Sequence, residues 1–219
     1  MNVLSLKNIS YQYPKSNKEV LKDVSVDFKQ GNIYAIMGKS GAGKTSLLSL
    51  IAGLDSSYKG NILYEGRDLR DINRNHYRSE EIGVVFQNYN LLTNATALEN
   101  IVLSMNISRV KIEDKISAAY EILKKVGIDS ETANRKILNL SGGEQQRTSI
   151  ARAISHNPSI IIADEPTGSL DIETEHSIIE ILRQAAKADN RCIIIVTHSN
   201  KVASYADMVW RISEGKLHI

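Results

Sequence analysis

The sequence predicts an α/β fold. A parallel sheet is flanked by helices, with an antiparallel β subdomain towards the N-terminus and a helical subdomain inserted before the last parallel strands. Three observations carry this. The first is Gly38-Lys39-Ser40-Gly41-Ala42-Gly43-Lys44-Thr45, set between the apolar strand-length run Ile33–Met37 and a helically spaced stretch, Thr45–Ala52. It matches G-x-x-x-x-G-K-[ST], the loop that wraps the phosphates of a nucleoside triphosphate. The second is a pair of apolar runs, Ser159–Ala163 and Cys192–Val196, each followed by polar or acidic residues. Buried parallel strands deliver side chains to a ligand in this way. The third is a pattern that turns helical from Ala97 onward, within a stretch read as a helical subdomain over roughly residues 88–158.

Each position of the glycine-rich loop has a physical task. Its glycines let consecutive backbone N–H groups turn inward with no Cβ in the way, forming an anion nest at a helix N-terminus. Lys44 can reach the β- and γ-phosphates, and the Thr45 hydroxyl can hold Mg²⁺.

The 219 residues suit one α/β domain: a nucleotide-binding core with the antiparallel β subdomain over 1–87 and 159–219, and a helical subdomain over 88–158. Hydrophobic residues make up 42% and charged ones 24%, an ordinary globular balance. A net charge of +2 is too small to argue for nucleic acid or an anionic membrane surface. No apolar run approaches the ~18 residues of a membrane span, and the start of the chain has no apolar signal stretch. The single Cys192 excludes an internal disulfide, fits a reducing compartment and sits where core packing is expected. A cytosolic location is the expectation.

In chain order, Val3–Ile9 and Val24–Phe28 alternate as half-buried antiparallel strands do. Between them Tyr13 suits either stacking on a purine face or packing at a strand end; the polar turn Lys15–Lys18 follows. Asn61–Tyr64 reads as a strand, and Arg67, Arg70, Arg74 and Arg78, interleaved with acids, as a solvated face. Ile82–Phe86 is an apolar strand ending at Gln87, whose amide suits either Mg²⁺ and a water or an ordinary loop. Ala97–Leu103 reads as a short helix. Lys111–Val126 reads as a longer one, with a packing stripe of Ile112, Ile116, Ala119, Leu123 and Val126.

Leu140-Ser141-Gly142-Gly143-Glu144-Gln145-Gln146-Arg147 opens a further helix. Its small residues offer a second phosphate seat, and Ser141 with Glu144 also makes a capping box. Asp164, at the end of its strand, suits the Mg²⁺ shell, and Glu165 is placed to take a proton from an attacking water. Ser169-Leu170-Asp171 leads into a helix over Ile172–Ala188. His198 follows the strand Cys192–Thr197, where it suits a γ-phosphate contact or a structural role. Met208–Ile212 and Leu217–Ile219 read as a closing hairpin.

In this order and spacing Gly38–Thr45, Gln87, Leu140–Arg147, Ile160–Glu165, Ser169–Asp171 and His198 resemble the nucleotide-binding domain of ABC-type ATPases, over essentially the whole chain. Leu140–Arg147 is the diagnostic piece. The resemblance implies ATP as substrate, bound by Tyr13 as adenine-stacking aromatic and by Gly38–Ser46. It implies Mg²⁺ held by Thr45, Gln87 and Asp164. It casts Glu165 as general base, His198 as the switch histidine, and Lys44 and Gln87 as catalytic partners. It further implies a head-to-tail homodimer in which Ser141, Gly142 and Gly143 of one subunit complete the site of the other. A separate transmembrane permease would hold the protein at the inner face of the membrane.

Ala97–Ile101 and Ala163–Asp171 are similar to the lipoprotein-release, macrolide-efflux and cell-division group, which suggests an exporter or a lipid or peptide extraction system. A signalling device without transport and a soluble ATPase acting on DNA or ribosomes are the alternatives. Lys39, Ala42 and Ser199 depart from the family pattern, and none removes a catalytic group.

Overall fold

The computed structural model describes every residue except Met1, Lys15, Asn17, Ser169 and Ile219. The parts of the expected 15–18 turn, the Ser169–Asp171 stretch and the closing hairpin that fall on these positions lie outside the described residues.

Two sheets form the frame. The antiparallel one has the order β2-β1-β4-β5, from β1 (Asn2–Gln12), β2 (Glu19–Lys29), β4 (Tyr58–Tyr64) and β5 (Arg67–Asp68). The second has the order β10-β9-β3-β8-β7-β6. It joins β3 (Ile33–Met37), β6 (Ile82–Val85), β7 (Ile160–Asp164), β8 (Cys192–Thr197) and β9 (Met208–Ser213) in parallel, with β10 (Lys216–His218) antiparallel at one edge.

The eight helices among the described residues are α1 (Lys44–Ile51), α2 (Arg74–His76), α3 (Ala97–Ile107), α4 (Lys115–Lys125), α5 (Ser130–Ala133), α6 (Gly142–Ile154), α7 (Ile172–Lys187) and α8 (Asn200–Ala203). Short non-α helical turns lie at Tyr77–Glu81 and Ile137–Asn139.

Period-two alternation divides the core. Ile160, Ile162, Ile194 and Val196 face α1 and the antiparallel sheet, in one cluster with Leu47, Leu50, Leu4 and Phe28. Ile161, Ala163, Ile193 and Ile195 face the opposite way, onto α3, α4, α6 and α7. Both faces are buried, which is why these strands read as continuous apolar runs rather than as alternating ones. Cys192 is fully buried, and burial pushes its thiol up to about 12, so it packs rather than reacts.

Close approach seats α6: a Cβ at Gly83 on β6 would lie 2.2 Å from the Ala153 carbonyl oxygen. Buried Asn100 of α3 fastens the segment after Gln87. Its Oδ1 accepts from Leu92 N at 2.9 Å, and its Nδ2 donates to the Leu92 and Thr96 carbonyls. Arg152 of α6 donates to the carbonyls of Tyr89 and Asn90 in the same segment.

The expected helix over 111–126 starts later. Asp114 is the N-cap of α4, accepting from Ser117 N at 2.9 Å, so Ile112 precedes the helix and Ile116 lies in its first turn. Both are exposed, and the packing stripe reduces to Ala119, Leu123 and Val126. The short helix expected over 97–103 runs on to Ile107, started by a capping box of Thr96 and Glu99.

A candidate nucleotide site at the carboxyl ends of the parallel strands

The loop after β3 is shaped by what stands behind it. A Cβ at Gly38 would lie 2.6 Å from the Ile212 carbonyl oxygen on β9, so only glycine fits this exit from the sheet. Gly43, the N-cap of α1, has φ 106° and offers no side-chain cap, which leaves the first N–H groups of the helix facing the loop. Lys44 folds back across the loop, its Nζ donating to the Gly38 carbonyl at 2.8 Å and to the Lys39 carbonyl at 3.1 Å. The ammonium is therefore held over the nest, where phosphate oxygens would replace the carbonyls. Thr45 is exposed beside it, and buried Ser46 shares a 2.7 Å hydrogen bond with the Tyr13 hydroxyl. The Tyr13 ring, 48% exposed, stands edge-on to Tyr11.

Neighbouring strands supply the acids. Asp164 ends β7, and burial, then the adjacent Glu165 carboxylate, push its carboxyl above the ordinary value against the opposing pull of Lys44. A carboxylate next to Lys44 and a threonine hydroxyl is a donor set that suits a hard cation shared with phosphate oxygens. No group of three or more His, Cys, Asp or Glu able to hold a metal occurs among the described residues. Glu165 has φ 47°, a left-handed backbone rare outside glycine. Its N–H donates to Val196 O at 2.9 Å, across to β8. Its Oε1 lies 2.9 Å from His198 Nδ1, and its Oε2 accepts the His198 backbone N–H at 3.3 Å.

A cavity of about 540 Å³ gathers these groups: Tyr13, the loop from Gly38 to Ser46 apart from Ala42, then Gln87, Asp164, Glu165 and His198. Ala42 instead lines a neighbouring cleft with Lys18, Lys22 and Arg211. Sequence reasoning missed Val20, which lines both hollows and whose carbonyl oxygen would lie 3.0 Å from a Cβ at Gly43. A valine in an ordinary strand carries no local signal of this.

Ser141, Gly142 and Gly143 do not line the cavity. Ser141 is the N-cap of α6, and the capping box with Glu144 is formed: Ser141 N donates to Glu144 Oε2 at 2.7 Å and Glu144 N to Ser141 Oγ at 3.3 Å. Ser141 and Gly142 are exposed, whereas a Cβ at Gly143 would meet Thr174 Cγ2 at 2.8 Å.

A strand, a glycine loop closing on a lysine at a helix start, and an acid ending another parallel strand define a P-loop nucleoside triphosphatase. The family model described as ABC transporter matches residues 21–168, and the chain belongs to that family, as an ATP-hydrolysing ABC cassette. It is 40% identical to the "Uncharacterized ABC transporter ATP-binding protein YclH" of Bacillus subtilis, over 100% of this chain and 97% of that one. It is 40% identical to the "Lipoprotein-releasing system ATP-binding protein LolD" of Francisella tularensis, over 99% and 96%. Among solved structures, the "Dimeric Structure of MJ0796, a Bacterial ABC Transporter Cassette" (Methanocaldococcus jannaschii) superposes with a TM-score of 0.89 at 34% identity, covering 99% of this chain and 97% of that one. Its counterpart titled as a post-hydrolysis state bound to ADP and Pi also gives 0.89, at 33% identity.

Proposed function

We propose that two copies of this chain close head to tail around ATP, hydrolyse it, and pass the closure and reopening to a membrane permease. The observation that carries this reading is the separation of the two phosphate seats. One set of groups surrounds the 540 Å³ cavity, while the exposed start of α6 at Ser141 and Gly142 stands outside it. A second copy, turned about, completes each cavity with that helix start.

In this reading Tyr13 stacks on the adenine and the loop N–H groups take the phosphates. Lys44 moves from its two carbonyls to the β- and γ-phosphate oxygens. Thr45, Asp164 and Gln87 would hold Mg²⁺, which would supply charge neutralisation on the triphosphate. Glu165 accepts the proton of the attacking water, and His198 holds the Glu165 carboxylate in place. Lys44 and the partner copy's Ser141 stabilise the charge that develops in the transition state. Loss of the γ-phosphate removes the group that both copies grip, and the pair opens.

An apolar groove of about 370 Å³ supports a permease partner. It lies beside the Gln87 segment, is walled by Phe86, Leu54, Leu92, Leu103 and Ile107, and is flanked by Arg78 and Arg152. All but Phe86 of the five are exposed. In this reading attachment to the bilayer runs through that partner; among the described residues no helix is long and apolar enough to cross a membrane. The likeness to a lipoprotein-releasing ATP-binding protein supports export or extraction of a lipid-bearing or peptide cargo.

The test is Ser141→Arg. A long cation at the helix start should abolish ATPase activity while the single chain still binds nucleotide. Unchanged ATPase activity would contradict the shared site.

A further inference from the structure

Gln146 of α6 is 1% exposed. Its Nε2 donates to the Pro166 carbonyl at 2.6 Å, in a buried contact. Its Oε1 is buried with no partner among the described residues. Burying an amide with its acceptor unpaired is unfavourable, and an apolar side chain of the same length would fill the space without that cost. The position thus favours the hydrogen bond over the packing.

The bond ends on the turn that aims Glu165. That residue's left-handed φ of 47° is strained for a side-chain-bearing residue, and the proline after it narrows the backbone choice further. Three backbone bonds hold the turn: Glu165 N–H to Val196 O at 2.9 Å, Gly168 N–H to Glu165 O at 3.1 Å and Leu170 N–H to Thr167 O at 3.3 Å. Among the described residues Gln146 is the one side chain that bonds to the backbone of this turn. Five residues earlier on the same helix stands Ser141, about 7 Å along the axis.

We infer that Gln146 is a positioning residue, which fixes the Glu165 turn from α6 and so sets the catalytic carboxylate by the helix whose first residues face the other nucleotide. This rests on the reading of Glu165 as general base. Gln146 does not line the 540 Å³ cavity, and acts only through Glu165.

The test is single-turnover hydrolysis of Mg-ATP by the full chain as wild type, Gln146→Met, Glu165→Gln and the double variant. Gln146→Met removes the donor and keeps the length. Because a misplaced catalytic group costs up to about a hundredfold, its hydrolysis rate should fall at least tenfold, with KM within about twofold. In the Glu165→Gln background the same change should cost nothing further. A wild-type rate in Gln146→Met, or an equal loss in both backgrounds, overturns the proposal. Full turnover in Glu165→Gln instead removes the base assignment, and the positioning role with it. Gln146→Leu gives a second apolar variant should the methionine disturb folding. In either variant the Gly168 amide should exchange faster at unchanged global stability; unchanged protection at Gly168 also overturns the proposal.

Discussion

His198 Nδ1 lies 2.9 Å from Oε1 of Glu165, and the His198 backbone N–H reaches Oε2 of the same carboxylate. The histidine side chain is 76% exposed while the carboxylate is 13% exposed, so an open ring stands over a sheltered carboxylate. Replacing His198 by Ala leaves the backbone bond and removes the ring. Glu165 keeps its place in the chain but loses one of the two contacts that aim it. The expected outcome is a fall in kcat of roughly tenfold to a hundredfold with KM nearly unchanged, as for a misaligned group used in the transition state. Steady-state ATPase assays read this directly; a rise in KM with kcat intact would assign His198 to ground-state binding instead.

Asp164 carries an opposite pull between stability and function. Its folded pKa lies above the ordinary carboxylate value, because burial and Glu165 disfavour the charge. The folded chain therefore holds the proton more tightly than the unfolded chain does. The stability from the protonated form is fully present below the ordinary pKa and is lost as pH rises through the folded value. Charge on Asp164, once the proton is lost, weighs against the fold. Asp164→Asn should raise the melting temperature of the nucleotide-free protein at pH 7 and narrow that gain as the pH approaches 4. It should also remove turnover. Thermal unfolding across pH, set beside ATPase activity, checks both halves.

Thr96 offers the contrasting case, a residue that serves the fold alone. Its hydroxyl accepts the Glu99 N–H at 3.1 Å, and Glu99 Oε2 accepts the Thr96 N–H at 2.7 Å. Thr96→Ala should cost about 1 kcal/mol, read as a lower urea midpoint, with kcat of the folded protein unchanged.

These residues differ in how far the sequence alone reveals them. Gly38–Thr45 is legible because its inward N–H groups and its lysine at fixed reach are local, although what crowds Gly38 and Gly43 from behind, Ile212 and Val20, is tertiary. The parallel strands are legible because burial on both faces removes polar residues from them, and Asp164, Glu165 and His198 follow as their carboxyl-end residues. The start of α4 is less so. Ile112 and Ile116 continue the helical stripe in sequence, but the Asp114 cap decides where the helix begins, and both residues stay exposed. Gln146 is not legible at all. In sequence it stands inside the polar run Glu144–Arg147, and although i+4 and i+7 from it are the buried Ile150 and Ala153, only the tertiary approach of the Pro166 carbonyl gives it a task. Ser141 shows a third case: the capping box that explains it within one chain is formed, and the task proposed for it at a partner copy's site leaves no mark within one chain.

The central claim is that one ATP is gripped by two copies of the chain. Sedimentation of the Glu165→Gln variant, saturated with ATP and Mg²⁺, tests it most directly: the variant should run as a dimer with ATP and as a single chain without nucleotide. A single chain under both conditions, with or without the permease, would contradict the account.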